Sequence, residues 1–179
     1  TKGKGVERIT ERGVVAGDRE YEVDCLIYAS GFEVGTDYSR RAGFQLYGRH
    51  GHSLAETWAG GVRTLHGMHV HGFPNCFILS NPQSGFTASY PHMLNEQAKH
   101  LAYVIRKGID AKWNALEVTP EAEQAWIDQC IAKARDVGDF FENCTPGYYN
   151  NEGKIGERSA QDGFYGGGPV EFIKILETW

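Results

Sequence analysis

Hydrophobic and polar positions follow strand-like patterns near the start of the chain. Apolar or β-branched runs occupy residues 6–10, 14–16 and 21–29, and short turn-forming stretches separate them. This spacing predicts an antiparallel β meander that leads into a buried strand over residues 21–29. A continuous apolar run at residues 74–80 predicts a second buried strand, of the kind found inside a parallel or mixed sheet.

The middle of the chain has the spacing of amphipathic helices. Apolar residues recur every three or four positions from Pro91 to a stop at Gly108, and Pro91 suits the first turn of a helix. A second helix is predicted to begin at Thr119 and Pro120, a side-chain cap followed by a proline, and its apolar stripe continues to Ala134.

The remaining stretches have weaker patterns. Residues 31–68 are predicted to be mostly loop, with one helical turn at residues 54–58. Residues 138–179 are aromatic and glycine-rich. Because so many large rings gain from burial, we expect this last stretch to pack back on the domain.

The composition of the chain limits the classes of protein to which it can belong. The chain has 179 residues, 41% of them hydrophobic, which is enough for one domain with its own core. A net charge of -5 without a basic stripe argues against nucleic-acid binding. No apolar run approaches the roughly 20 residues that cross a bilayer, so we expect no membrane span and a cytoplasmic protein. The four cysteines form no C-x-x-C pair, so reduced thiols are expected.

A glycine follows the first long apolar run. Gly31 comes directly after Tyr28, Ala29 and Ser30, where the predicted buried strand ends. Because glycine lacks a Cβ atom, the chain can turn there with a positive φ, and a flat ligand or a second backbone can come close. An ordinary strand-to-loop turn explains the same pattern, so both interpretations stay open.

A polar loop precedes the first predicted helix. Residues 81–90 are rich in Pro, Ser, Gly and Thr, and the helix is predicted to begin at Pro91. The start of a helix exposes unpaired N–H groups and about half a positive charge, which suits a ligand with negative charge or carbonyl oxygens, such as the pyrimidine edge of a flavin. An α/β connection that binds no ligand is the alternative.

A histidine cluster, H-x-x-H-x-H, is formed by His66, His69 and His71. Three imidazoles bind a metal only if the segment turns them together, and no carboxylate or thiol stands nearby in the sequence. We therefore expect loop histidines and no metal site. The absence of a G-x-S-x-G motif argues against a hydrolase, and the glycines at 166–168 lack the lysine of a phosphate loop, so a plain turn is expected there.

Several short motifs follow one another in an order that resembles a known family. The first is residues 24–32, with Ser30 where the family has threonine. Further matching motifs lie at residues 48–51, 54–58, 72–75, 81–84 and 96–97, and looser ones at 147, 153–154 and 165–167. In this order the chain resembles the C-terminal part of a Baeyer-Villiger type flavin-containing monooxygenase, an FAD- and NADPH-dependent class B flavoprotein monooxygenase.

The resemblance implies an activity and a set of site residues. Such enzymes carry FAD and use NADPH and O2 to insert one oxygen atom beside a ketone carbonyl or onto a heteroatom. The residues that it implies at the cofactors are Ala29, Ser30, Gly31, Tyr90 and Pro91. The residues that it implies on the substrate side are Phe86, Thr87, Ala88 and Cys144. Near Cys144 the family often has a tryptophan that contacts the nicotinamide cofactor. No catalytic residue is assigned.

The phosphate-binding turns of that family are absent from the chain. Neither a G-x-G-x-x-G turn for FAD nor one for NADPH is present. We therefore expect an α/β fold, in which residues 1–179 form an incomplete FAD-binding (Rossmann-like) domain with a small antiparallel meander and a helical C-terminal part. The chain is expected to be a segment of a longer enzyme, and by itself colourless and inactive.

Two other interpretations stay open. The parent could be an N- or S-oxygenating flavin monooxygenase, because the strand-Gly-Phe motif is shared widely. The chain could instead be a non-enzymatic binding or scaffold domain with an aromatic contact surface. The residues of that surface would be Trp58, Trp113, Phe140, Phe141, Tyr148 and Tyr149. Uncovered apolar strands also predict that the chain forms homo-oligomers.

Overall fold

The computed structural model describes residues 5–29, 31–32, 38–79, 81–135, 143–144, 147 and 159–178. The chain divides into two units, Thr1–Ala42 with Val137–Ile155 and Gly43–Asp136 with Gly156–Trp179. A small antiparallel sheet and several helices give it a mixed α/β character. Within the described residues, no helix is both long and apolar enough to cross a bilayer.

Three short antiparallel strands form the sheet of the first unit. In chain order and in sheet order they are β1 (Arg8–Ile9), β2 (Gly13–Ala16) and β3 (Arg19–Glu22). Thr10 shapes the first turn, since its Oγ1 accepts a hydrogen bond of 3.0 Å from the N–H of Gly13. An added Cβ atom at Gly13 would lie 1.9 Å from the carbonyl oxygen of Tyr21, so only glycine fits. The predicted meander is confirmed. A short helix, α1 (Tyr38–Ala42), belongs to the same unit.

The buried strand predicted over residues 21–29 is wrong beyond Glu22. The backbone from Asp24 to Ala29 belongs to no strand, and the side chains of Ile27 and Tyr28 are 82% and 75% exposed. An apolar run becomes a strand only where a second strand supplies hydrogen-bond partners. No described residue supplies them at this position.

The strand predicted over residues 74–80 is also wrong for its described part. Residues 74–79 form a turn followed by an irregular segment, and Leu79 is exposed. The N–H of Ile78 donates one hydrogen bond of 2.9 Å to the carbonyl oxygen of Met68, but no ladder continues from it. The meander is the only sheet among the described residues, so the parallel pairing of a Rossmann-like sheet is not found there.

Helices dominate the second unit. They are α2 (Leu54–Thr57), α3 (Tyr90–Asp110), α4 (Pro120–Ala132), α5 (Ser159–Asp162) and α6 (Pro169–Glu177), with a 3-10 turn at Arg49–Gly51. Thr119 caps α4, because its side chain accepts a hydrogen bond of 3.2 Å from the N–H of Ala122. The two long predicted helices and the short turn near residue 54 are confirmed, whereas α6 was not predicted.

The core of the second unit is built from α3, α4, α6 and the turn at residues 65–68. Trp126, Tyr165 and Phe172 are its largest fully buried side chains. The other members of this cluster are Leu65, Met68, Met93, Leu101, Val118, Cys130 and Leu176. Since Tyr165 and Phe172 come from the end of the chain, the predicted packing of that stretch is confirmed for residues 159–178.

Candidate functional site

The loop before α3 lies beside the segment that precedes α6. The N–H of Gln83 donates a hydrogen bond of 2.7 Å to the carbonyl oxygen of Gly163. The N–H of Tyr165 donates one of 2.9 Å to the carbonyl oxygen of Ser84. These two bonds hold the loop and the segment side by side, as neighbouring strands are held.

The Gln83 side chain fixes the base of this loop. It is completely buried, and its Oε1 accepts hydrogen bonds of 3.0 and 2.6 Å from the backbone N–H and the hydroxyl of Thr64. Its Nε2 donates bonds of 2.7 and 3.0 Å to the carbonyl oxygens of Val62 and Gln161. Trp126 donates from Nε1 to the carbonyl oxygen of Gln83 at 3.1 Å. Both polar atoms of the buried amide are therefore satisfied, as burial requires.

Two exposed aromatic rings, Phe86 of this loop and Phe164 of the neighbouring segment, contact each other. The centroids of the Phe86 and Phe164 rings are 4.4 Å apart, with an angle of 33° between the ring planes. Both rings remain open to solvent, while Thr87 is half-buried and Ala88 is exposed. Of the predicted substrate residues of this loop, Phe86 therefore forms an apolar wall at the surface together with Phe164.

The first turn of α3 follows the aromatic wall. Ser89 is the N-cap residue but makes no side-chain capping hydrogen bond, and the first turn carries no acidic residue. Pro91 occupies the start of the helix, and Tyr90 is exposed. Pro91 has no N–H, and the N–H of His92 donates a bond of 3.1 Å to the carbonyl oxygen of Ser89. This helix start therefore offers a partner the positive end of the helix dipole, which suits a carbonyl oxygen or a negative charge.

The remaining predicted site residues belong to the first unit. Ala29 and Gly31 are exposed, and Cys144 is half-buried with a free thiol. Gly31 has a φ of +74°, and an added Cβ atom there would meet no heavy atom within 4 Å. The positive φ predicted at Gly31 is confirmed, whereas the close approach of a ligand to its backbone stays a prediction. Ser30 lies outside the described residues.

The histidines predicted to be loop residues are largely buried. His66 and His69 lie in a turn, and the His100 ring of α3 is 6.2 and 6.1 Å from theirs, measured between centroids. Burial, with the His100 and His69 rings nearby, lowers the pKa of His66 to about 3. Burial and His100 lower the pKa of His69 to about 4. Both rings are therefore neutral near pH 7.

His71 belongs to a separate polar cluster. The Nδ1 atom of its ring lies 3.0 Å from the carbonyl oxygen of Val118. Its backbone N–H donates a hydrogen bond of 2.9 Å to the Glu123 carboxylate. Glu117 accepts bonds of 2.9 and 2.8 Å from Arg49 Nε and the N–H of Gly72. These contacts tie surface loops to the start of α4. Within the part of the chain that the structure describes, no group of three or more His, Cys, Asp or Glu side chains could hold a metal ion.

The described surface of each unit carries a recess. The first, of about 540 Å³, is lined by Glu7, Arg8, Val15, Gly17, Asp18 and Glu20 of the meander. The second, of about 350 Å³, is lined by residues 46–49, Phe73, Pro74 and Cys76. None of the predicted site residues lines either recess. The aromatic wall is therefore a surface feature of this chain, and one side of any ligand bound there would need further protein to cover it.

Known proteins are similar to the chain over its whole length. No family model matches it. Neopentalenolactone D synthase of Streptomyces avermitilis is 48% identical over 181 residues, which cover 100% of this chain and 30% of that protein. A Baeyer-Villiger monooxygenase of Streptomyces coelicolor is 42% identical over 176 residues, which cover 98% of this chain and 29% of that protein. The chain matches a segment of the Baeyer-Villiger monooxygenases.

Solved structures of other proteins match the chain as well. Polycyclic ketone monooxygenase of Thermothelomyces thermophila matches with a TM-score of 0.81 and 33% identity, over 98% of this chain and 29% of its own. OTEMO, solved in complex with FAD and NADP, matches with a TM-score of 0.72 and 26% identity, over 97% of this chain and 31% of its own. The chain thus spans about 30% of the length of the relatives that it matches.

Two residues of the site, Gln83 and Phe164, are not predicted from the sequence. Phe164 contacts Phe86 although the two are far apart along the chain, so no local pattern joins them. Gln83 sits in a polar loop, where a glutamine is ordinarily solvated. The one signal in the sequence is the motif at residues 81–84, which includes Gln83 and points to it only through the family resemblance.

Proposed function

We propose that the full-length protein carrying this chain is an FAD- and NADPH-dependent monooxygenase that inserts one oxygen atom from O2 into a ketone, giving an ester or a lactone. The observation that carries the proposal is the 48% identity to neopentalenolactone D synthase over the whole chain. The chain alone is proposed to be inactive, as one part of an incomplete, Rossmann-like FAD-binding domain. The cytoplasm is the proposed compartment, since all four cysteines are free thiols.

FAD and NADPH are the proposed cofactors, and FAD would supply the activation of O2 when bound. The start of α3 supports a role for Tyr90 and Pro91, because the positive end of the helix dipole suits a carbonyl oxygen or negative charge on the flavin ring. Ala29 and Gly31 are proposed to let a flat ring approach the exposed backbone, since Gly31 has open space on the side where a Cβ atom would stand. Ser30 is proposed with them from its place in the motif.

Phe86, Thr87 and Ala88 are proposed to contact the ketone, and Phe164 is added to them. The exposed Phe86–Phe164 pair offers an apolar face that matches the hydrocarbon part of a ketone. Such a wall also excludes water from the reacting carbonyl, which limits side reactions. Cys144 is proposed to stand near the substrate or the nicotinamide cofactor.

The test is a comparison of substrates with the purified full-length protein. With FAD bound, we expect NADPH oxidation to accelerate when a cyclic ketone is added and a lactone to accumulate in step with it. An amine and a sulfide are offered in parallel. Amine or sulfide oxides without any lactone would replace the ketone reaction by N- or S-oxygenation. A protein that binds neither FAD nor NADPH would favour a non-enzymatic binding domain.

A further inference from the structure

Gln83 has a backbone conformation that its residue type rarely adopts. Its φ is +58°, in the left-handed region that favours glycine, and its side chain is completely buried. Residues in such conformations persist only where their surroundings hold them, and they are frequent at binding sites. The contacts of Gln83 show which residues stabilise this conformation and which residues its position affects.

The side-chain amide supplies the holding force. It makes four hydrogen bonds, of 2.6 to 3.0 Å, to three residues: Thr64, Val62 and Gln161. Two further bonds reach its backbone, which donates to Gly163 and accepts from Trp126. Gln83 thus joins residues 62–64, helix α4 and the segment that carries Phe164.

Each residue between Gln83 and Phe86 is held as well. Ser84 donates from Oγ to the carbonyl oxygen of Asn81 at 2.9 Å, and its own carbonyl oxygen accepts from Tyr165. Gly85 lies directly on the Phe172 ring, where an added Cβ atom would be 2.8 Å from Cδ1. Because Ser84 and Gly85 are closely packed, a displacement of the Gln83 backbone is expected to displace Phe86 as well.

We propose that Gln83 is a positioning residue whose buried amide sets where Phe86 stands against Phe164, and so sets which ketones the wall accepts. The inference rests on the proposed function, because it takes the Phe86–Phe164 wall as the substrate side of the site. Gln83 touches neither substrate nor cofactor in this account. It acts by fixing the path of the backbone from Gln83 to Phe86.

The decisive variant is Gln83→Met, which keeps the length of the side chain and removes all four of its hydrogen bonds. Thr64→Val is the milder variant, since it keeps three of the four bonds of the amide. It removes the hydroxyl bond of 2.6 Å to Gln83, together with the bond of 3.0 Å that the Gly67 N–H donates to the same hydroxyl. Val118→Ala serves as the control, because Val118 is a buried core residue outside the loop and outside the Gln83 hydrogen bonds. The control lowers stability without removing a contact of the amide.

The kinetic readout is the ratio of kcat/KM for a polycyclic ketone to that for cyclohexanone, measured on the full-length, FAD-loaded protein. We expect Gln83→Met to change this ratio by about tenfold, mainly through KM, and Thr64→Val to change it less and in the same direction. Val118→Ala should lower the melting temperature and leave the ratio unchanged. A wild-type ratio in both Gln83→Met and Thr64→Val overturns the proposal. If Gln83→Met does not fold, Thr64→Val decides alone.

A crystal structure of the variant separates this proposal from the proposed function. We expect the Phe86 ring to leave its position 4.4 Å from Phe164 in Gln83→Met or, failing that, in Thr64→Val. An unmoved Phe86 ring overturns the positioning role whatever the activity. If the wild-type protein oxidises no ketone, the proposed function fails, and the position of Phe86 still decides whether Gln83 controls the loop.

Discussion

The Trp126 ring stacks on the Tyr165 ring, with 4.8 Å between the ring centroids and 24° between the planes. Trp126 also donates to the carbonyl oxygen of Gln83, and Tyr165 is the residue after Phe164. Both stacked rings are buried, whereas Phe164 and Phe86 are exposed. The exposed wall is therefore linked to the core of the second unit through Trp126 and Tyr165.

Trp126→Phe should destabilise the fold. The substitution keeps an aromatic ring against Tyr165 but removes the hydrogen bond to Gln83 and leaves part of the indole volume empty. We expect a loss of about 1–3 kcal/mol in the free energy of unfolding. Urea unfolding of the 179-residue chain, followed by circular dichroism, measures it. Trp113→Phe, at an exposed tryptophan, should cost less than about 0.5 kcal/mol. Equal losses at the two positions would contradict the buried role of Trp126.

Phe164→Ala should weaken the binding of bulky ketones. Removing the ring takes away half of the apolar wall and leaves Phe86 without its neighbour. In the full-length protein we expect KM for a polycyclic ketone to rise about tenfold, with kcat changed much less. Steady-state kinetics with saturating NADPH measures it. Phe44→Ala removes an exposed ring from outside the loop and should leave KM as it is. A KM that rises in both variants, or in neither, would argue against the wall.

Acid should destabilise the fold through the buried histidines. The folded chain holds the pKa of His66 at about 3 and that of His69 at about 4, while an unfolded histidine titrates near 6.5. Between these values the unfolded chain binds protons that the folded chain does not. The stability that these residues contribute is complete above about pH 7 and is lost as the pH falls from about 6.5 toward 4, by about 1.4 kcal/mol per pH unit for each histidine.

The measurement is urea unfolding at several pH values between about 7 and 5. His69→Phe replaces the buried imidazole by an apolar ring and should reduce the slope of unfolding free energy against pH by about 1.4 kcal/mol per unit. His50→Gln removes an exposed imidazole outside the cluster and provides the control. A wild-type chain with no loss of stability over this range would show that the cluster is not held neutral.

The isolated chain should self-associate through residues 26–32. Ile27, Tyr28 and Phe32 are 82%, 75% and 89% exposed, and such clustered apolar side chains gain from contact with another surface. We expect light scattering to show dimers or larger species, and Ile27→Lys to shift the chain toward monomers. Ile109→Lys, at an exposed position of α3, should not. A wild-type chain that stays monomeric at high concentration would rule out this association.

Local signals predicted the helices and the meander. Pro91, Thr119 and Pro120 mark helix starts through their own chemistry, and α3 and α4 begin within a residue of them. The same kind of signal is present for α6, where Pro169 precedes apolar residues at helical spacing. The glycines at 166–168, however, predict only a turn at this point. The predicted turn is present, and the helix follows it directly.

Pairing and burial were not predictable, because they depend on residues distant in the sequence. The run around Ile27 has the composition of a buried strand, yet no described strand pairs with it. His66 has the sequence environment of an exposed loop histidine, yet the Trp126 ring covers it at 4.7 Å between centroids. The family resemblance identified the Phe86 loop as a whole, but its anchor at Gln83 and its neighbour Phe164 required the fold.

The central claim is that this chain is part of an enzyme that transfers one oxygen atom from O2 to a ketone. Isotope labelling tests it most directly: the full-length, FAD-loaded protein is supplied with NADPH, a cyclic ketone and O2 enriched in oxygen-18, and the product is analysed by mass spectrometry. We expect a lactone that carries one labelled oxygen atom, with one lactone formed for each NADPH consumed. NADPH consumption that yields only hydrogen peroxide, or a lactone without label, would contradict it.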